Sequence, residues 1–562
     1  MSHRKEWTLT IEGMTCDHCA RSVDDAVRKV PGVAESTTDH LAGTTRIVAE
    51  AVVEGSVLVA AVGSKNFRVV GEKVRDFVPR SRNKDELDLL IIGSGSAGFA
   101  AAIKASELGA QVAIVERDAL GGTCVNVGCV PSKTLIRAAE AHHHAGRSAF
   151  AGIRTKNEPP DLRAIVQQKA KLVAELRQAK YWDVLGAYPG IMLMKGEARF
   201  RPDGTVEVDG KLVRAKRVLL SMGASPWVPP IPGLADTRFL TSTTLMELEE
   251  LPKQLIVIGG GAVGLELAQT FARFGSRVTV LEALPRIAPA EDDEVGEALA
   301  RYLREEGLDV RAGVRIVEVS GSLGAHRVVI EDDAGRHVIE GDQLLVATGR
   351  RPNTRGLGLE EAGIAVGKKG EVLVDEHLRT RLPHVYAAGD VIGDPAFVYV
   401  AAYAGSLAAE NALEGNSRTY DLSVVPRVTF TDPGVASVGL TEAEARARGI
   451  AVALAKLPMA HVPRALAARD TRGFIKLVAD EKTGLLVGAH ILAPEAGEMI
   501  QEAVMAIRFG IRTDEIASLL HPYLTNAEGL KLACQTFKKD VAKLSCCAAL
   551  EKTTKRKGVE RT

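Results

Sequence analysis

The chain has 562 residues, and at roughly 150 residues per domain that length suggests three to four domains. Its 71 Lys plus Arg balance 71 Asp plus Glu, which excludes binding to nucleic acid or a membrane surface through bulk charge. The 46% hydrophobic and 25% charged content excludes a disordered, collagenous or coiled-coil chain, and the 54 glycines exceed an average share of about 7%.

The opening MSHRKEWTLTIEG lacks the apolar core of a secretory signal, and no apolar run approaches the ~18 residues of a membrane span. The expectation is a cytoplasmic protein, where paired cysteines are metal-binding or redox-active more often than structural. Six of the seven cysteines are paired: Cys16 with Cys19, Cys124 with Cys129, and Cys546 with Cys547. Cys534, on the helical stretch GLKLACQTF, reads as a small buried hydrophobe.

In chain order, Trp7 to Ile11 alternates as a strand does, and Ala20, Val23, Val27 and Val30 recur at helical spacing before Gly32. Further β-like stretches at 44–50 and 67–70, with a helix between them, predict a ferredoxin-like βαββαβ domain over 1–72. Residues 73–86 read as a flexible linker. Cys16 and Cys19 sit at the mouth of the first helix, whose dipole favours thiolates. Two thiolates do not close a zinc site, but they suit a linear soft ion such as Hg(II) or Cu(I). The segment GMTCDHCA resembles the heavy-metal-associated domains of soft-metal chaperones and transport ATPases.

Two strand–glycine–helix units follow. Gly93, Gly95 and Gly98 come after LDLLIIG, and Gly259, Gly261 and Gly264 come after LIVIG; both fit G-x-G-x-x-G. In each, the first glycine makes the turn, the second admits a pyrophosphate and the third lets helix and strand pack. Each unit has a carboxylate 18 residues past its third glycine, Glu116 and Glu282, placed for a ribose hydroxyl. Two dinucleotides on one chain suggest hydride relay from a nicotinamide to a flavin. At Glu282 a carboxylate accepts from the 2′-hydroxyl of NADH and repels the 2′-phosphate of NADPH, an effect that Arg277 and Arg286 could partly offset.

Between the two units lies GGTCVNVGCVPSK (121–133), with four residues separating Cys124 from Cys129. The pair is within reach of a disulfide if the segment is helical or turned, and Lys133 can lower a thiol pKa. This segment, with ATGRRPNT (347–354) and YAAGD (386–390), resembles the pyridine nucleotide–disulfide oxidoreductases over 87–545. The resemblance implies FAD on the first fingerprint and NAD(P)H on the second. It also implies cofactor contacts at Thr123, Lys133, Ala198, Asp390 and Val398, a Glu266–Lys133 pair, and a two-fold homodimer. The expected architecture is two Rossmann-like α/β domains plus an α+β dimerisation domain. Its segments are an FAD-binding part at 87–228 and 350–420, an NAD(P)H-binding part at 229–349 and a dimerisation part at 421–545.

The tail 546–562 carries the adjacent Cys546 and Cys547 and a charged extension of fifteen residues. Neighbouring Cα atoms lie about 3.8 Å apart, too close for an unstrained disulfide, so this pair should persist as a dithiol. Metal trap, flavin–disulfide body and tail dithiol together resemble the mercuric reductase family. That resemblance implies reduction of Hg(II) to Hg(0). The tail pair of one subunit would hand the ion to Cys124/Cys129 of the other, past tyrosines matched here by Tyr181 in AKYWDVL and Tyr523 in PYLT. It further implies small thiols and a mercury transport protein as partners, and NADPH as the usual coenzyme, against the NADH reading of Glu282. A second departure is His521 before Pro522, where the family is expected to carry an aromatic. Glutathione and lipoamide enzymes place a glutamate five residues beyond such a histidine, whereas here Glu528 lies seven beyond, so His521 reads as an interface residue ahead of a proton donor. The run His142–His144 reads as a solvated helix end. Two other functions stay open: a lipoamide- or glutathione-type disulfide reductase, and a soft-metal chaperone or buffer.

Overall fold

The computed structural model describes residues 4–15, 17–40, 42–76, 86–322 and 324–544. Its two compact units divide between Asp85 and Glu86.

In the first unit, alternation makes β1 (Arg4–Glu12), with Trp7, Leu9 and Ile11 inward. The helical spacing makes α1 (Asp17–Val27), which buries Ala20, Val23 and Val27. Then come β2 (Val33–Asp39), β3 (Thr44–Glu50), α2 (Gly55–Gly63) and β4 (Arg68–Asp76), giving an antiparallel sheet in the order β2-β3-β1-β4. β2 has almost no apolar pattern, and polar contacts hold it instead. The Asp24 carboxylate on α1 accepts from Ser36 Oγ (2.7 Å), Thr38 Oγ1 (2.7 Å) and Thr38 N (3.2 Å). β4 corrects the expected linker boundary. It pairs with β1 as far as Lys5↔Asp76, so residues 73–76 belong to the sheet. Backbone pairing along a nine-residue neighbour needs no apolar signal.

The main sheets of the second unit are two parallel ones and a five-stranded antiparallel one, with smaller antiparallel sheets beside them. β5 (Leu89–Ile92) runs into α3 (Ser96–Glu107), followed by β6 (Val112–Glu116) and, further on, β7 (Ile191–Lys195). The parallel sheet has the order 385–387, 218–220, β5, β6, β7, so strands from both sides of the second fingerprint share one layer. The second parallel sheet has the order 309–312, 277–282, 254–258, 343–346. β5 and most of Gln254–Ile258 are buried, as expected where a parallel sheet is covered on both faces. The antiparallel sheet (427–429, 434–439, 486–493, 474–480, 452–458) packs against the helix Ala496–Arg508. Among the described residues, no helix is long and apolar enough to cross a membrane.

Buried ion pairs join the antiparallel sheet to the second parallel one. Lys476 Nζ meets both oxygens of Asp292 (3.0 Å each), Glu294 (2.8 Å) and Glu442 (3.2 Å). Arg273 meets Glu306 (2.6 Å) and Asp432 (2.8 Å), and Asp432 also takes Arg472 (2.7 Å). His142 departs from its expected solvated setting. Its ring nitrogens lie 2.9 Å from the Arg273 carbonyl and 3.0 Å from that of Glu158, tying its helix to the neighbouring one. Burial works against the Lys476 charge, yet its bonds to Glu294 and Asp292 hold the pKa above the ordinary lysine range. Removing that cation strands Asp292, only 5% exposed, without its partner. Lys476→Met should therefore destabilise the body by about 3–5 kcal/mol, read as a lowered thermal midpoint of the flavin-loaded protein.

Candidate active site

Both parallel sheets end in glycine turns with matching geometry. Gly93 (φ 100°) and Gly259 (φ 113°) occupy conformations that favour glycine. A Cβ on Gly98 would overlap the Gly93 carbonyl, and one on Gly264 the Gly259 carbonyl, so the third glycine serves helix–strand packing. The second glycines differ. A Cβ on Gly95 would come no nearer than 3.9 Å to protein, and one on Gly261 would meet nothing within 4 Å. That open side leaves each helix N-terminus accessible to an anion such as a pyrophosphate.

The two carboxylates also match. Glu116 Oε2 accepts from Ser94 N (3.0 Å) and Ser94 Oγ (2.5 Å), and Oε1 accepts from Asp118 N (2.9 Å). Glu282 Oε2 accepts from Gly260 N (2.6 Å), and Oε1 from Leu284 N (2.8 Å).

The redox pair sits where two helices meet. α4 (Gly122–Val127) ends at Gly128, whose backbone is non-helical, and α5 (Cys129–Gly146) starts at the second cysteine. The break brings Cys124 and Cys129 into hydrogen-bond contact, both without a disulfide. Cys129 is the first residue of an eighteen-residue helix, whose dipole favours thiolate there. The Cys124 thiol donates to it, so Cys129 is drawn down to about 7, with Lys133 assisting against burial. Cys124 is correspondingly pushed up, since it holds the shared proton and is partly buried.

Lys133, one turn along α5, donates to Glu266 Oε2 at 2.7 Å. Glu266 Oε1 accepts from Phe430 N at 2.9 Å, and the lysine ammonium lies 4.6 Å from the Phe430 ring centre. The pair expected from the sequence is therefore present, and Phe430 adds a third member from the antiparallel domain. Tyr181 also reaches the site, from a π-helical turn (Gln178–Trp182). Its ring packs edge-on against Phe99 (4.7 Å between centres) and lies over Gly121, where a Cβ would come within 3.1 Å of it. Burial and the neighbouring Cys124 raise its phenol pKa, so it stays a proton donor.

Tyr181 stands behind Gly121, and the redox pair, Lys133, Glu266 and Phe430 line one cavity of 1140 Å³. Its wall includes Gly93, Gly95, Glu116, Thr123, Cys124, Cys129, Lys133, Ala198, Glu266, Asp390 and Val398, and it reaches Ala262 and Val263 beside the second glycine turn. Gly98 lies beneath the turn and does not line it. Arg350, which the sequence reading passed over, is also on the wall. It donates to Thr123 Oγ1 (3.3 Å) and to the Ala224 carbonyl, while its buried Nε has no protein partner. Burial lowers its pKa while Asp390 and Cys129 support the charge, and burial raises Asp390. Its position inside ATGRRPNT was the available signal. Unpartnered Arg350 Nε and Asn126 Oδ1 on the wall, with the open glycines, fit a polar, phosphate-bearing FAD.

Other expected residues lie elsewhere. Tyr523 is not in the cavity wall and stands 59% exposed on the segment that also presents Leu519, Leu520 and Leu524. The carboxylate on His521 Nε2 is Glu502 (2.8 Å), supplied by the helix Ala496–Arg508. Glu528 is buried in its own helix. Cys19 lies on α1 with Thr15 Oγ1 at 3.8 Å from its sulfur. Cys16, Cys546 and Cys547 fall outside the described residues.

Comparison with known proteins identifies the family. The pyridine nucleotide-disulphide oxidoreductase family matches residues 87–405, its dimerisation domain 425–534, and the heavy-metal-associated domain 8–68. A mercuric reductase of Lysinibacillus sphaericus is 44% identical over 97% of this chain and all of its own. One of Acidithiobacillus ferrooxidans is 46% identical over 98% of this chain and all of its own. The chain belongs to the pyridine nucleotide-disulphide oxidoreductases, in their mercuric reductase branch. As a member of that family it is a flavoprotein oxidoreductase that uses FAD and NAD(P)H. The branch also includes a Streptomyces lividans relative, 49% identical over 82% of this chain and 98% of its own. Among solved structures, the HOCl-induced flavoprotein disulfide reductase RclA from Escherichia coli superposes with a TM-score of 0.71 at 32% identity. That match covers 80% of this chain and 99% of RclA.

The proton shared by the redox pair sets a pH dependence. With Cys129 titrating near 7, its thiolate is lost as pH falls through that value. Lys133→Met removes the assisting cation and leaves Glu266 nearby, so the midpoint should move up toward an unperturbed thiol. The pH profile of iodoacetamide alkylation at Cys129, followed by mass spectrometry of the reduced protein, reads this directly; an unmoved midpoint would exclude the role of Lys133.

Proposed function

We propose that this enzyme reduces Hg(II) to Hg(0) at Cys124 and Cys129. The overall balance is Hg(II) plus NAD(P)H giving Hg(0), NAD(P)+ and one proton. The observation that carries the reading is a thiolate–thiol pair on the wall of the dinucleotide cavity, in a chain with two further dithiols. Two thiolates match the linear coordination that soft Hg(II) favours.

FAD held by Gly93, Gly95, Glu116, Thr123, Ala198, Arg350, Asp390 and Val398 supplies two-electron exchange between a nicotinamide and the sulfur-bound metal. The chain's own residues do the rest. Cys129, the sulfur on the flavin side, is thiolate near neutral pH, and Cys124 is the interchange sulfur that meets the incoming ion. Cys124 gives up the shared proton as it becomes a ligand, and Tyr181 stays protonated beside it. Lys133 balances the negative sulfur, and Glu266 fixes Lys133 in place.

In this reading Cys16 and Cys19 capture Hg(II), arriving on small thiols or from a transport protein, and Cys546 and Cys547 of the partner subunit deliver it. Segment 1–76 is the trap. FAD binds 87–228 with 350–420, the nicotinamide binds 229–349, and 421–545 makes the homodimer. The exposed apolar residues Met505, Phe509, Leu519, Leu520 and Leu524 support burial of that surface by a second copy, with Tyr523 turned toward the other subunit's cavity. Working thiols of this kind fit the reducing cytoplasm.

The contact of His521 with Glu502 is the one feature in line with the disulfide-reductase alternative, proton donation to a thiol leaving a small disulfide, which the mercuric reductase relatives do not favour. Anaerobic addition of Hg(II) or of lipoamide separates the two. Coenzyme oxidation with release of volatile mercury supports the first, and oxidation with the disulfide alone supports the second. Cys546→Ala combined with Cys547→Ala should keep the flavin but lose Hg(II) turnover under excess thiol; full turnover would remove the delivery step.

A further inference from the structure

We propose that the nicotinamide site is built for NADH and that Glu282 is the residue that rejects NADPH. The inference rests on the assignment of the second glycine turn to a nicotinamide dinucleotide, and it names which one.

The chain contains its own reference for this geometry. In the first turn, Glu116 closes β6 and accepts from the backbone N–H of Ser94, the residue after the first glycine. In the second, Glu282 closes the strand Arg277–Glu282 and accepts from Gly260 N–H, again the residue after the first glycine. Each carboxylate also takes the N–H two residues beyond itself, Asp118 and Leu284. The ligand of the first turn, FAD, has an adenosine ribose with both hydroxyls free. A second turn with the same carboxylate in the same hydrogen bonds presents the same acceptor to the same free diol.

A 2′-phosphate would bring a dianion to a buried carboxylate that two backbone bonds prevent from turning away. Neither cation near Glu282 in sequence is paired with it, and Arg277 opens the strand whose far end Glu282 closes. Arg286 is paired with Asp293. Arg277 lies 2.8 Å from the Gln254 side-chain oxygen once that amide is oriented to satisfy its neighbours. Among the described residues of this strand end, the group fixed at the ribose position is therefore negative.

The test needs no mercury, so it stands whether or not Hg(II) reduction holds. Calorimetric titration of the FAD-loaded dithiol-reduced protein with NAD+ and NADP+ should show NAD+ binding at least about 30-fold more tightly. Anaerobic bleaching of the flavin by NADH should outpace that by NADPH in the same direction. Glu282→Gln keeps the side-chain shape and removes the charge, so it should narrow the gap by tightening NADP+. Equal or tighter NADP+ binding by the unaltered protein would overturn the proposal. So would a Glu282→Gln protein that loses both ligands equally with its flavin content intact. Should that variant fail to fold, the comparison on the unaltered protein still decides.

Discussion

One carboxylate holds the redox centre in place. Glu266 is buried, and an ionised group there is tolerable only if its oxygens are occupied. Lys133 on α5 takes one oxygen and the Phe430 amide takes the other. The three residues come from three different parts of the body: the flavin-side helix, the helix behind the second glycine turn, and the antiparallel domain. The demand of one buried charge therefore sets where α5 lies. With α5 placed, its first residue, Cys129, points at Cys124 with a cation one turn behind it.

That placement turns two ordinary cysteines into unlike partners. One proton is shared, the helix N-terminus and Lys133 draw Cys129 toward thiolate, and Cys124 retains the hydrogen. One sulfur is drawn toward thiolate near neutral pH while the other keeps the proton. The break at Gly128 makes this possible, since a continuous helix would carry the second sulfur off to another face. Arg350 adds a second cation to the same wall, beside Asp390 and the pair.

Function on this scaffold is divided between rigid and exchangeable parts. The glycine turns and their carboxylates are locked by backbone hydrogen bonds, which suits cofactors that must sit in one register. The dithiols flank the body in sequence, at 16/19 and 546/547, which suits a cargo passed by ligand exchange. The buried charge networks around Lys476 and Arg273 keep the antiparallel domain seated on the nucleotide-binding sheet. That seating in turn supplies the Phe430 amide.

What the sequence determined by itself were the features whose physics is local. The two glycine fingerprints, their closing carboxylates, the CVNVGC pair and the CxxC loop each state their chemistry within about twenty residues. The Lys133–Glu266 pair was legible only through family resemblance, because 133 residues separate its members. Other features were set by tertiary structure alone. β2 carries almost no apolar pattern, because its pairing with β3 and Asp24 on a helix hold it more than a core does. Arg350 acquires its role from Thr123 and Asp390, one far before it and one far after. His521 finds its carboxylate on a helix nineteen residues earlier, where no spacing rule would look. The unlike acidities of Cys124 and Cys129 likewise follow from folding, because a thiol pKa depends on which charges and dipoles surround it, and only the closed chain brings them there.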